Sequence, residues 1–256
     1  MKRAFHPRED RLITVQDYLS EFGSRLGPNG KPRARPNSRC PACLAPMKIV
    51  GEDRPLHDQI FSHIGKENPP PCPLRNSADY KYEFLEEAPE DSEEGRRLRR
   101  DFFKNWEKHW NVMWKLLDHF MDIEDFIGLI RRADTTRLWH RSKLSEWEIP
   151  YIFLVWKEWK PVKKRDGTIL RETWIRFWFD AHVRTIEDIW IRTQGNPRII
   201  KAWYKDPKRG AILGPDHLID TDEVRINLDF LAMPHKVPAD FVVNKMRQSF
   251  LEDFSP

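Results

Sequence analysis

The sequence predicts an α+β fold: an N-terminal cysteine-knuckle module, a helical hairpin, and a small antiparallel sheet with a C-terminal helix. Three observations carry it. All three cysteines fall between residues 40 and 72. Apolar residues recur at helical steps from about residue 96 to 138. Beyond residue 149 come runs rich in aromatic and β-branched residues, punctuated by turn signals.

A chain of 256 residues can bury a substantial core. The composition breaks it into a module over residues 1–90 and an α+β domain over 91–256. Within the second, the pattern gives a helical hairpin over 93–140, a β-hairpin and short strands over 149–232, and a helix over 238–254. Eleven tryptophans and fifteen phenylalanines shift the apolar content toward large rings, so the core should be aromatic. Lys and Arg number 44 against 40 Asp and Glu, and a net charge of +4 is too small to argue for nucleic acid by itself. No run of about 18 apolar residues is present, which excludes a spanning helix and a membrane partner of that kind. The opening "MKRAFHPREDRLITV" lacks the apolar stretch of a secretory signal, and an odd cysteine count does not make a disulfide framework. A reducing, cytoplasmic setting is expected.

In chain order, "TVQDYLSEFG" predicts a short amphipathic helix with Thr14 as N-cap and Gly23 as stop. "GPNGKPRARPNSR", residues 27–39, predicts an extended loop with Lys31, Arg33, Arg35 and Arg39 and no acidic residue. Such a loop suits phosphates; a solvated basic linker is the plainer reading. The acidic "EEAPEDSEEG" marks a boundary. "RRLRRDFFKNWEKHWNVMWKLLDHFM" places Phe103, Trp106, Trp110, Met113, Leu117 and Phe120 on one helical face. At that spacing a buried stripe is expected ahead of a platform for stacking bases. "IEDFIGLIRRADTTRLW" predicts a second helix with Phe126, Leu129, Ile130, Ala133 and Leu138 facing inward.

The next run, "IPYIFLVWKEW", predicts a strand that pairs across an Asp166-Gly167 turn with "TWIRFWFDAHV". Further strands are predicted at "PRIIKAWY" and "VRINLDFLA", and a closing helix at "PADFVVNKMRQSFLEDF".

The chemistry concentrates in "CPACLAPMKIVGEDRPLHDQIFSHIGKENPPPCP", residues 40–73. A structural zinc site needs four ligands, commonly two from a tight Cys-x-x-Cys knuckle and two from further along. Cys40 and Cys43 form the knuckle, and Cys72 is the natural third ligand. His57 or His63 is the fourth. His63 is preferred because "IFSHI" is an extended apolar segment, whereas His57 sits in the polar "DRPLHDQ" turn. Four protein ligands leave no coordination position for water or substrate, so the zinc would be structural.

The knuckle "CPAC" followed by "FSH" and "CP" resembles the N-terminal zinc-finger-like segment of bacterial competence-protein CoiA-like sequences. In that group the segment precedes a nuclease-type domain. The resemblance covers residues 40–73 and implies a bacterial accessory or mobile-element setting. A restriction-like nuclease needs an acidic residue at a strand end and then Glu-x-Lys on the next strand, to hold Mg²⁺ and steady the attacking water. Glu158-Trp159-Lys160 has those letters, and Asp180 is the acidic candidate. Asp122, Asp125 and Asp134, however, fall in or beside predicted helices. His182, Glu187 and Asp188 near Asp180, and Asp216 with His217, are looser groupings. No phosphate-binding glycine loop or nucleophile elbow is present.

Two functions are therefore expected in order. The first is a zinc-stapled binding protein that contacts nucleic acid or a protein partner. The second is a divergent CoiA-like nuclease using Glu158, Lys160 and Asp180 with Mg²⁺.

Overall fold

A computed structural model describes residues 1–41, 43–64, 72, 92–141, 144–163, 166–179, 198–207, 213 and 217–254. The fold is mixed, with helices and antiparallel sheets, and it divides into two compact units. The first comprises Met1–Glu83, Thr173–Val183 and Arg198–Val224; the second comprises Phe84–Glu172, Arg184–Pro197 and Arg225–Pro256. The division thus differs from a single break at residue 90, because strands from residue 173 onward group with the N-terminal segment.

The first unit opens with strands β1 (Arg3–Phe5) and β2 (Leu12–Thr14) and helix α1 (Val15–Phe22), followed by β3 (Ser38–Arg39), β4 (Pro46–Val50) and β5 (Ile60–His63). Thr14 is the expected N-cap, made reciprocal by Asp17, and Gly23 ends α1 with a left-handed φ of 74°. The sheet order is β2-β1-β3-β4-β5, antiparallel at each pairing given, with Met47 opposite His63. It curls back on itself. The Met1 nitrogen donates to the Phe61 carbonyl at 2.9 Å, and the Phe61 N–H donates to the Met1 carbonyl at 2.7 Å. Phe5, Ile13, Met47, Ile49 and Phe61 are buried, which gives this part a small core. Strand β4 alternates exposed and buried residues, as a sheet with one solvated face should.

The second unit contains α2 (Ser92–Leu116), α3 (Ile123–Thr135), α4 (Ile149–Val155), the short strands β6 (Val162–Lys163) and β7 (Ile169–Arg171), and α5 (Asp240–Ser249). Phe103, Trp106, Trp110, Met113 and Leu117 are buried, so the aromatic stripe is core. Asp118 and His119 turn left-handed with φ of 60° and 69°, so Phe120 lies past the end of α2 and not on its face. The Arg171 guanidinium donates to the Leu117 and Phe120 carbonyls at 2.9 and 3.2 Å, satisfying groups the helix leaves open. Asp122 caps α3, whose Phe126, Leu129, Ile130 and Ala133 point inward with Leu138 beyond it. Phe102 lies 5.0 to 6.2 Å, centroid to centroid, from Trp139, Phe153 and Phe126.

"IPYIFLV" is the helix α4 and not a strand. All seven of its residues are buried, and a run apolar on every side has no periodicity to separate helix from strand; Pro150 in its first turn suits the helix. The Asp166-Gly167 turn still makes a hairpin, but a small one between β6 and β7.

Strands β8 (Trp174–Phe179), β9 (Arg198–Tyr204) and β10 (Leu218–Arg225) complete the first unit as a sheet in the order β10-β9-β8. β8 therefore pairs with β9, Phe177 opposite Lys201, and not with the 149–159 run. The last strand is "LIDTDEVR"; the remainder of the expected "VRINLDFLA" strand lies beyond its end.

Candidate metal centre

The cysteine knuckle is built by the backbone around it. Cys40 follows directly on β3, its N–H donates to the Ala45 carbonyl at 2.9 Å, and its carbonyl accepts from the Leu44 N–H at 2.8 Å. Leu44 adopts a left-handed φ of 58°, which turns the chain sharply enough to enter β4. Strand β4 then carries the chain out and β5 brings it back, so the Met47–His63 pairing returns His63 to the knuckle. Cys72 reaches the same place from further along.

The atoms available as ligands on Cys40, Cys43, His63 and Cys72 all lie within 4.8 Å of one another, close enough to hold a metal ion. The Cys40 and Cys72 sulfurs are 3.8 Å apart, and the Cys43 sulfur is 3.3 Å from His63 Nε2. Tetrahedral zinc with bonds of about 2.3 Å would separate two sulfurs by about 3.8 Å, so the donor types suit such an ion and the Cys40–Cys72 separation matches it. Cys40 and Cys72 are buried, while Cys43 and His63 are half-buried. Burial pushes the Cys40 thiol well up, and its hydrogen bond to Cys43 adds to the shift. The Cys43 thiol is pulled far down, first by the hydrogen bond from Cys40 and then by that from Cys72. Three sulfurs so arranged favour a thiolate at the open edge, and a cation is what lets all three ionise together.

His57 is on the other side of the question. It lies in an exposed helical turn over Leu56–Asp58, its Nε2 3.5 Å from Asp58, and it is not part of the cluster.

The basic segment divides between structure and solvent. Arg35 is ion-paired with Glu52 and donates to the Gly23 carbonyl, and Arg39 pairs with Asp10 while donating to the His6 and Glu9 carbonyls. Lys31 and Arg33 are exposed, with no ion pair among the described residues. Beside them sequence reasoning missed Arg25 and Lys48. Lys48 was legible in principle, since it stands at an exposed position of the β4 alternation.

Of Glu158, Lys160 and Asp180, suggested for catalysis, the first two are among the described residues. Glu158 and Lys160 follow α4, not a strand, with Trp159 buried between them. Asp180, His182, Glu187, Asp188 and Asp216 lie outside the described residues. No helix among the described residues is long and apolar enough to cross a membrane. No protein-family model, no curated protein and no solved structure matches the chain.

Proposed function

We propose that the first unit is a zinc-stapled binding module whose metal is structural and whose partner is nucleic acid. The convergence of Cys40, Cys43, His63 and Cys72 carries this reading. Three thiolates and one imidazole are a zinc donor set, and four protein ligands fill a tetrahedral sphere. Bound there, the ion would cross-link the knuckle, the end of β5 and the Cys72 segment. The described chain from Cys40 to His63 buries few apolar side chains of its own, so metal affinity would become folding energy. Lys31 and Arg33 would supply the phosphate contacts, with Arg35 and Arg39 holding their loop in place.

A nuclease built on Glu158 and Lys160 is the less favoured reading, because a helix stands where that chemistry needs a strand. The proposal is tested by native mass spectrometry and nucleic-acid titration on the full chain. One zinc per chain is expected, lost in Cys72→Ala, together with binding that weakens as salt rises. A folded, zinc-free wild type would remove the staple; no binding at low salt would leave a protein partner as the function.

A further inference from the structure

A groove of about 760 Å³ lies in the first unit between the segment 24–37 and strand β4 with its turn. Four cations line it, Arg25, Arg33, Arg35 and Lys48, against two acids, Glu52 and Asp53. Glu52 is taken up by Arg35 and by the Arg25 N–H at 2.8 Å, so that pair is internally neutral. Arg25, Arg33 and Lys48 are exposed, and none has a carboxylate in ion-pair reach among the described residues. Arg33 is held over the end of α1: a Cβ at Gly23 would stand 2.4 Å from its Nη1. Between the cations are apolar surfaces, Leu26 and Val50, 54% and 41% exposed. Cations around an open apolar floor complement a chain of phosphates that carries flat bases.

We propose that this groove takes a single strand of nucleic acid in preference to a duplex, a step that rests on the nucleic-acid reading of the module. Volume makes the choice. The groove is the size of a small-molecule cleft, roughly 300–1,000 Å³. A few nucleotides of one strand match that size, whereas a duplex keeps its bases in the stack and meets such a groove through its backbone. An unpaired strand can also turn its bases onto Leu26, Val50 and the plane of Arg33, which paired bases cannot do.

The test compares a fluorescein-labelled thymidine oligomer with a duplex of equal length, bound to the zinc-loaded full chain at low salt. The single strand should bind more tightly. Lys48→Ala and Arg25→Ala, both at exposed positions, should each weaken it and lower the slope of log affinity against log salt by about 0.7. Equal affinity for duplex would overturn the proposal while leaving nucleic-acid binding intact. So would unchanged binding in both variants when Lys31→Ala weakens it. No binding of either probe by a folded, zinc-loaded chain would overturn the groove and the reading beneath it together.

Discussion

The second unit and the cysteine-bearing part of the first hold themselves together by different means, although β8 and β9 of the first unit also bury Phe177, Trp178 and Ile200 completely. In the second, Phe102, Phe126, Trp139 and Phe153 meet ring to ring in a fully buried cluster, and burial of large aromatic surface is enough to order it. In the first, β3 is two residues long and the chain from Cys40 to His63 buries only a handful of apolar side chains. Its cohesion there depends on polar ties: the knuckle turn, the Arg35–Glu52 and Arg39–Asp10 pairs, and the cluster of three sulfurs and an imidazole. Small cores need such staples. One face of β4, with Lys48 and Val50, stays open, and the groove lies along it.

Metal removal should break the symmetry between units most sharply. Structural zinc in small domains is worth about 10–16 kcal/mol, so chelation should abolish amide protection in β3 to β5 while α2 and α3 stay protected, as hydrogen exchange would read. Next in size, Phe102→Ala should cost about 3–5 kcal/mol in the second unit, measured by denaturant unfolding, and leave the zinc content unchanged.

Acidity should then separate the units in a third way. Burial pushes the Glu148 carboxyl, in the second unit, from its ordinary 4.5 up to about 9, against hydrogen bonds from Ser145 that pull it down. The folded state therefore holds a proton that the unfolded state releases, so this group's contribution to stability falls as pH rises from about 4.5 to about 9. The slope approaches about 1.4 kcal/mol per pH unit inside that window. Glu148→Gln keeps an acceptor for the Ser145 N–H and should flatten that slope, which thermal melts across the window would show. The smallest effect expected is that of Gly23→Ala. A Cβ there meets a left-handed backbone and the Arg33 guanidinium, at about 1 kcal/mol or somewhat more, with looser nucleic-acid binding as its second readout.

How far the sequence anticipated this follows the same contrast. Where one face of an element is buried, the pattern was readable: α1 stands between Thr14 and Gly23 as its caps indicate, and α2, α3 and α5 are helices where periodicity asked for them, α5 ending at Ser249 and not at 254. Where burial is complete the signal vanished, and the all-apolar Ile149–Val155 became a helix instead of a strand. The five-stranded sheet of the first unit was missed because most of its strands are two to four residues long, too short to show alternation; only β4, at five residues, carries the pattern. The cluster was legible because spacing singled out the three cysteines and the extended "IFSHI" segment singled out His63 over His57. Arg35 and Arg39 were not separable from Arg33 by spacing alone, since their carboxylate partners, Glu52 and Asp10, lie 17 and 29 residues away in the chain.

The central claim is that the first unit is closed by a metal that does no chemistry. X-ray absorption at the zinc edge of the purified full chain tests it most directly. Three sulfurs at about 2.3 Å and one nitrogen at about 2.0–2.1 Å, with no oxygen, are the predicted shell. An oxygen ligand in a shell of fewer than four protein donors would contradict the closed site, and a folded chain without bound metal would contradict the staple altogether.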